Sequence, residues 1–181
     1  MVIFMLYTSR YDSPLGGILL AGDDEALTGL WFDGQKYFAD TLPAQHAARE
    51  TPVFDAAKRW LDVYFRGERP DFTPPVKWEA TPFRSAVWEI LVSVPYGTTV
   101  TYAEIASRIA RQRGLAHMSA QAAGSAVAHN PISVIVPCHR VVGTDGSLTG
   151  YAGGIGKKLR LLELERVDTS RFFIPKKGTA L

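Results

Sequence analysis

Residues 101–131 read TYAEIASRIARQRGLAHMSAQAAGSAVAHNP, and this stretch decides the architecture of the second half of the chain. Thr101 and Glu104 have the spacing of a capping box, in which each side chain satisfies the other's free backbone amide. The spacing predicts a helix from there to about Arg111. A loop holding Gly114 follows, then a capping hydroxyl at Ser119 and the small-residue run Ala120-Gln121-Ala122-Ala123-Gly124-Ser125-Ala126, which Asn130-Pro131 must stop. Two helices joined by a turn suggest a helix-turn-helix, whose second helix enters a DNA groove; side chains this small let the backbone come close to the duplex. An Ala/Gly face serves close helix-to-helix packing equally well.

Upstream, Pro95-Tyr96-Gly97 marks a turn. Before it, Thr81-Pro82 pairs a capping hydroxyl with proline in the first helical position, and Phe83, Val87, Ile90, Leu91 and Val94 form one apolar stripe. Residues 70–80 carry Pro70, Pro74 and Pro75 without periodicity and read as the linker. Thr51-Pro52 repeats the helix-start signal, and Phe54, Ala57, Trp60, Leu61, Tyr64 and Phe65 follow at helical spacing, ending near Gly67. Apolar segments at 2–6, 15–21 and 26–32, separated by Ser13-Pro14 and Gly22-Asp23-Asp24, read as short antiparallel strands. The expectation is an α+β protein: a small N-terminal antiparallel sheet with a helix over residues 1–79, then a mostly helical domain over 80–181 containing the helix-turn-helix.

The bulk numbers fit an ordinary folded protein: 181 residues, 46% hydrophobic and 21% charged. The net charge of +2 is weak evidence for a nucleic-acid partner, but its distribution is uneven. Arg108, Arg111 and Arg113 cluster, as do Lys157, Lys158 and Arg160, whereas Asp23, Asp24 and Glu25 lie in the first half. The second half is the candidate DNA-facing half, although solvated helix faces produce such clusters too. Val2 to Leu6 is too short to span a bilayer and lacks the basic flank of a signal peptide. A single cysteine excludes an internal disulfide and a thiolate-built zinc cage, so a reducing, cytoplasmic location without membrane attachment is expected.

That cysteine follows Ser133-Val134-Ile135-Val136, a β-branched run read as a buried strand, and opens Pro137-Cys138-His139-Arg140. A thiol is a useful nucleophile only as thiolate, and His139 is the adjacent base. Consecutive strand residues point to opposite faces, so contact needs a bend or a bridging water. A buried, inert cysteine is the plain alternative. The glycine-rich segment from Gly143 to Gly156 favours a ligand-gripping loop. Glu165, on an amphipathic helix read over 157–166, looks from its pattern like one more solvated charge.

Pro137-Cys138-His139-Arg140-Val141-Val142 resembles the active-site signature of the O6-alkylguanine-DNA alkyltransferases, the methylated-DNA-protein-cysteine methyltransferases. Tyr96-Gly97 with Tyr102, Asn130-Pro131 and Gly150-Tyr151-Ala152-Gly153-Gly154 extend the resemblance from Thr81 to Glu165, while Tyr64-Phe65-Arg66-Gly67 carries a looser one in the first half. The resemblance implies DNA repair by single-turnover transfer of the alkyl group of O6-alkylguanine to Cys138, in double-stranded DNA. It implies that Glu165 orients His139 and that His139 deprotonates Cys138 through a water. Tyr102 would help rotate the phosphate and contact the flipped base, and Asn130 would be the hinge between recognition helix and active site. Gln121, Ala122 and Gly124 would lie on the recognition helix. Main-chain groups of Cys138, Val141 and Ala152 would read guanine, Tyr151 would wall the pocket, and Thr144 would touch the DNA backbone.

Two departures stand out. The family usually places an arginine where this chain has Gln121, and that arginine fills the gap left by the flipped base. The loop from Arg111 to Ser119 is also longer, which could bring Arg111 or Arg113 to the backbone. Some relatives hold zinc in the first domain through cysteines and histidines; with His46 the sole histidine before residue 117, no metal, no cofactor and a monomer are expected here. Two rival readings are a recognition module that binds the lesion without repairing it, and a cysteine hydrolase, which needs direct Cys138–His139 contact and an oxyanion site.

Overall fold

A computed structural model describes residues 5–176. The strand read at 2–6 therefore lies largely outside the described residues. The first strand, β1 (Leu6–Ser13), instead covers the mixed stretch that follows, where Ser9 alone is buried and the residues carry little hydrophobic signal. Backbone contacts divide the chain into two compact units, one running to Trp78 and including Pro131–Ile135, the other comprising Glu79–Asn130 and the chain from Val136 on.

In the first unit β1, β2 (Gly16–Gly22) and β3 (Leu27–Phe32) are antiparallel neighbours. The Ser13-Pro14 turn sets the register, pairing Ser13 with Gly16 and Tyr7 with Gly22. A short strand, β4 (His46–Ala48), pairs parallel to the outer edge of β1, so the sheet is mixed, with order β3-β2-β1-β4. Helix α1 (Pro52–Phe65) is capped by the Thr51 side chain, which accepts from the Phe54 amide, and buries Phe54, Trp60, Leu61 and Tyr64. These pack with Ile18, Leu20, Leu30 and Phe32 in an apolar core. Part of the proline-rich stretch is anchored to this sheet: Leu27 donates to the Pro75 carbonyl, and its own carbonyl accepts from Lys77. The segment read as a buried strand at 133–136 is no strand. Leu30 donates to Pro131 and accepts from Ser133, after which buried Val134 adopts φ +69° and turns the chain sharply. A β-branched residue rarely enters that region.

In the second unit, α2 (Pro82–Val92), α3 (Tyr102–Gln112), α4 (Ala120–Ala128) and α5 (Ile155–Leu164) begin close to where the sequence places them. Thr81 and Ser119 cap α2 and α4, and Thr101 with Glu104 forms the capping box of α3. Ala123, Ala126 and Val127 of α4 are buried, and Trp88 of α2 donates its indole N–H to the Ala126 carbonyl at 2.8 Å. The small-residue face thus serves helix packing on one side. Two residues each of β5 (Val100–Thr101) and β6 (Val141–Val142) pair in parallel. Val142, Leu148 and Leu162 form a cluster that seats α5. Among the described residues, no helix is long and apolar enough to cross a membrane.

Candidate active site

Pro137 caps a single 3-10 turn, Cys138–Arg140, that runs into β6. The cysteine therefore starts a turn rather than ending a strand. At three residues per turn, neighbouring side chains diverge by about 120° instead of pointing to opposite faces. Cys138, His139 and Arg140 are all buried. Facing them is Glu165, which caps the C-terminus of α5 and is itself buried, contrary to its pattern as a solvated charge. The α5 helix starts and ends earlier than read, and Arg166 with φ +60° turns the chain away beyond it.

The Glu165 carboxylate is saturated with donors. Oε1 lies 2.6 Å from His139 Nε2 and accepts from Arg140 Nη2 at 3.0 Å. Oε2 accepts from Arg140 Nε and from the Gly97 amide, each at 2.9 Å. Gly97 belongs to the Pro95-Tyr96-Gly97 turn with φ +75°, where a side chain would be strained. Burial alone would raise the carboxyl pKa, but the hydrogen bonds from His139 and Arg140 and the charge of Arg140 outweigh it and hold Glu165 ionised. An ionised carboxylate only accepts, so His139 carries its proton on Nε2 and leaves Nδ1 as the basic nitrogen. Burial depresses the His139 pKa against the pull of Glu165, with Arg140 and Lys158 depressing it further, so the ring rests neutral.

Burial pushes the Cys138 thiol up, while the Asn130 side chain, the charge of Lys158 and nearby backbone amides favour the thiolate. Asn130 is fixed by donating its side-chain amide to the Val136 carbonyl at 2.8 Å. Lys158, fully buried in α5, donates to the Thr149 carbonyl at 2.7 Å and to the Tyr102 hydroxyl at 3.4 Å. Tyr102 donates to the same carbonyl at 2.7 Å. Gly150 permits this approach, since a Cβ there would sit 2.7 Å from the tyrosine oxygen and φ is +70°. Tyr151 is 2% exposed, and its hydroxyl has no hydrogen-bond partner among the described residues. Burial raises both phenols, and a negative Cys138 raises them further.

A buried thiol, a neutral imidazole oriented by a carboxylate and a buried lysine are thus gathered on one turn and the helix facing it. Residues 82–167 match the family model described as 6-O-methylguanine DNA methyltransferase, DNA binding domain, and residues 6–78 match its ribonuclease-like domain. The methylated-DNA–protein-cysteine methyltransferase of Haemophilus influenzae is 39% identical over 90% of this chain and 87% of its own length. That of Methanosarcina acetivorans is 42% identical over 88% and 98%. The chain belongs to the 6-O-methylguanine DNA methyltransferase family. Among solved structures, Mycobacterium tuberculosis OGT in complex with DNA superposes with a TM-score of 0.75 at 41% identity, covering 92% of this chain and 94% of that one.

In this methyltransferase the sequence-derived candidates separate into two groups. Cys138, His139, Glu165, Asn130 and Tyr102 come together as described, with Tyr151 buried nearby and Val141 buried in β6. Gln121 is exposed on α4, with Ala122 and Gly124 half-buried on the same helix. Thr144 is exposed and lines a separate open cavity with Glu104, Asp145 and Arg171, and half-buried Ala152 lies in the loop before α5. Lys158 was misread as one of a surface cluster. Its place in the helix signals the error: Leu161 and Leu162, one turn on, face the core.

Burial lowers the Lys158 pKa to about 7, against a raising pull from a Cys138 thiolate. The unfolded chain holds that proton to about pH 10.4. Between these limits the unfolded state binds more protons, so stability rises with pH. We expect the stability difference between wild type and Lys158→Met, measured by urea unfolding, to shift by about 3 kcal/mol towards the wild type from about pH 7 to about pH 9.5. An unchanged difference would show that the lysine is not depressed.

Proposed function

We propose that the protein repairs DNA by transferring the alkyl group of O6-alkylguanine irreversibly to Cys138, once per molecule. The observation that carries this reading is the buried Glu165–His139 pair at 2.6 Å, with His139 on the same turn as the chain's single cysteine. His139 Nδ1 takes the thiol proton through a water. The sulphur attacks the alkyl carbon, the carbon–O6 bond breaks, and its electron pair stays on the purine, which becomes guanine by taking up one proton, the equivalent of the one the thiol gave to His139. Cys138 becomes a thioether, which no thiol exchange reverses. The reaction requires a reduced thiol, which suits the cytoplasm.

A buried nucleophile cannot reach a stacked base, so the target nucleotide is extruded, at about a few kcal/mol in lost stacking and pairing. In this reading α3 and α4 form the helix-turn-helix, and α4 presents Gln121, Ala122 and Gly124 to the groove. Tyr102 meets the extruded base beside Cys138, Asn130 fixes the chain leading to the turn, and Tyr151 walls the pocket. The backbone groups of Cys138, Val141 and Ala152 read the base, and Thr144 approaches a phosphate. Gln121 takes the vacated space without a positive charge. Gln121→Arg is therefore expected to speed repair of a duplex several-fold while leaving the reaction with free O6-alkylguanine base unchanged. Equal effects on both would remove Gln121 from extrusion.

The test is the intact mass of the protein after incubation with a short duplex carrying O6-methylguanine. A gain of one methyl per molecule, saturating there, is expected. No gain with the lesion still bound would overturn alkyl transfer in favour of recognition alone, and repeated turnover would favour a hydrolase.

A further inference from the structure

Arg140 is a buried group to which the transfer chemistry above gives no task. Its guanidinium contacts Glu165 through Nε and Nη2, donates from Nη1 to the Val94 carbonyl at 2.6 Å, and lies 5.8 Å from the Tyr96 ring centroid. It thereby ties the end of α2, the turn before β5 and the C-terminus of α5 to the active-site turn. The side chain is 9% exposed and the carboxylate it meets is fully enclosed. A buried cation held this way needs its partner, and here the partner is shared with the base.

We propose that Arg140 is a positioning residue for alkyl transfer: it fixes the Glu165 carboxylate in the orientation that serves His139, and supplies the permanent positive charge that keeps His139 free to accept the thiol proton. The proposal rests on the relay described above. With His139 neutral, the Arg140–Glu165 pair is balanced. A proton on His139 adds an uncompensated positive charge beside Arg140 and Lys158, so the imidazolium persists only while Cys138 is negative. Without Arg140, Glu165 would pair with His139 alone and hold the proton on it. The charged groups acting on the ring are Arg140 from its own turn, Lys158 from α5 and Glu165 at the end of that helix; Arg140 and Lys158 lower its pKa and Glu165 raises it.

Arg140→Lys keeps the charge but not the planar fork, because one ammonium cannot satisfy both Glu165 and Val94 in the same geometry. Single-turnover methyl transfer from an O6-methylguanine duplex, followed from about pH 5 to about pH 9, is expected to slow about tenfold in Arg140→Lys with the acid limb in place. In Arg140→Met the acid limb should also move up by about one pH unit, since His139 then stays protonated at higher pH. Lesion-duplex binding and a thermal melt establish that each variant is folded. An Arg140→Lys rate equal to wild type throughout would overturn the positioning role. A folded Arg140→Met with an unmoved limb would overturn the charge role, and if that variant does not fold, Arg140→Lys decides the proposal. Absence of transfer in the wild type would instead overturn the underlying relay.

Discussion

With Cys138 replaced by alanine, methyl transfer is expected to fall to zero while the protein still folds and still binds a duplex carrying the lesion. The site is closed around Cys138, which is 4% exposed, and removing one atom there costs about 1 kcal/mol, too little to unfold a domain. The chemistry has no substitute: this is the sole cysteine, and the nearby Tyr102 and Tyr151 hydroxyls are pushed up rather than activated. Cys138→Ser should be equally inert, because a hydroxyl in a site that already raises the thiol pKa stays protonated. The raised pKa keeps Cys138 a protonated thiol at rest, and in the proposed relay the thiolate appears only when His139 takes the proton. Mass spectrometry of the lesion-treated variant checks this; a methylated Cys138→Ala protein would move the acceptor elsewhere and sink the assignment.

The elements legible in the sequence were those written in local chemistry. Thr51, Thr81, Thr101 and Ser119 cap helices, and each helix starts where its cap predicts. Local rules failed where tertiary context decides. The run at 133–136 has strand composition, yet pairing of Pro131 and Ser133 with Leu30 and the left-handed Val134 make it a turn. The chain-edge strand β4 carries no pattern because it is exposed throughout, and β1 alternates only partly. Within the site, Cys138 and His139 announced themselves by adjacency, whereas Glu165 was indicated only by family resemblance. Its burial depends on Arg140 and Gly97, both remote from it in sequence. Lys158 shows the same limit from the other side: a cation in a polar stretch of helix reads as solvent-facing until its carbonyl partner at Thr149 is placed.

Glu165→Gln should cost both stability and rate. The carboxylate now accepts on one oxygen from His139 and Arg140 and on the other from Arg140 and the Gly97 amide. A glutamine has one accepting oxygen and one donating nitrogen, so whichever way it turns, its NH2 group faces a donor. Arg140 is left buried with its charge unbalanced, a change worth about 3–5 kcal/mol for a broken interior pair. The sign of the pH dependence follows from the depressed carboxyl. The stabilisation is fully present above the unfolded value of about 4.3 and is lost as pH falls towards the lower folded value. Wild type should therefore weaken steeply below about pH 4, while the variant, already without the pair, lacks that part of the slope. Methyl transfer should slow by about a hundredfold or more, because His139 loses the carboxylate that fixes its proton on Nε2 and leaves Nδ1 basic. Equilibrium unfolding at about pH 7 and about pH 3.5, with single-turnover rates on an O6-methylguanine duplex, tests both effects. A variant that repairs within about threefold of wild type would mean that His139 needs no orienting carboxylate, and the relay would have to be abandoned even if the stability loss were found.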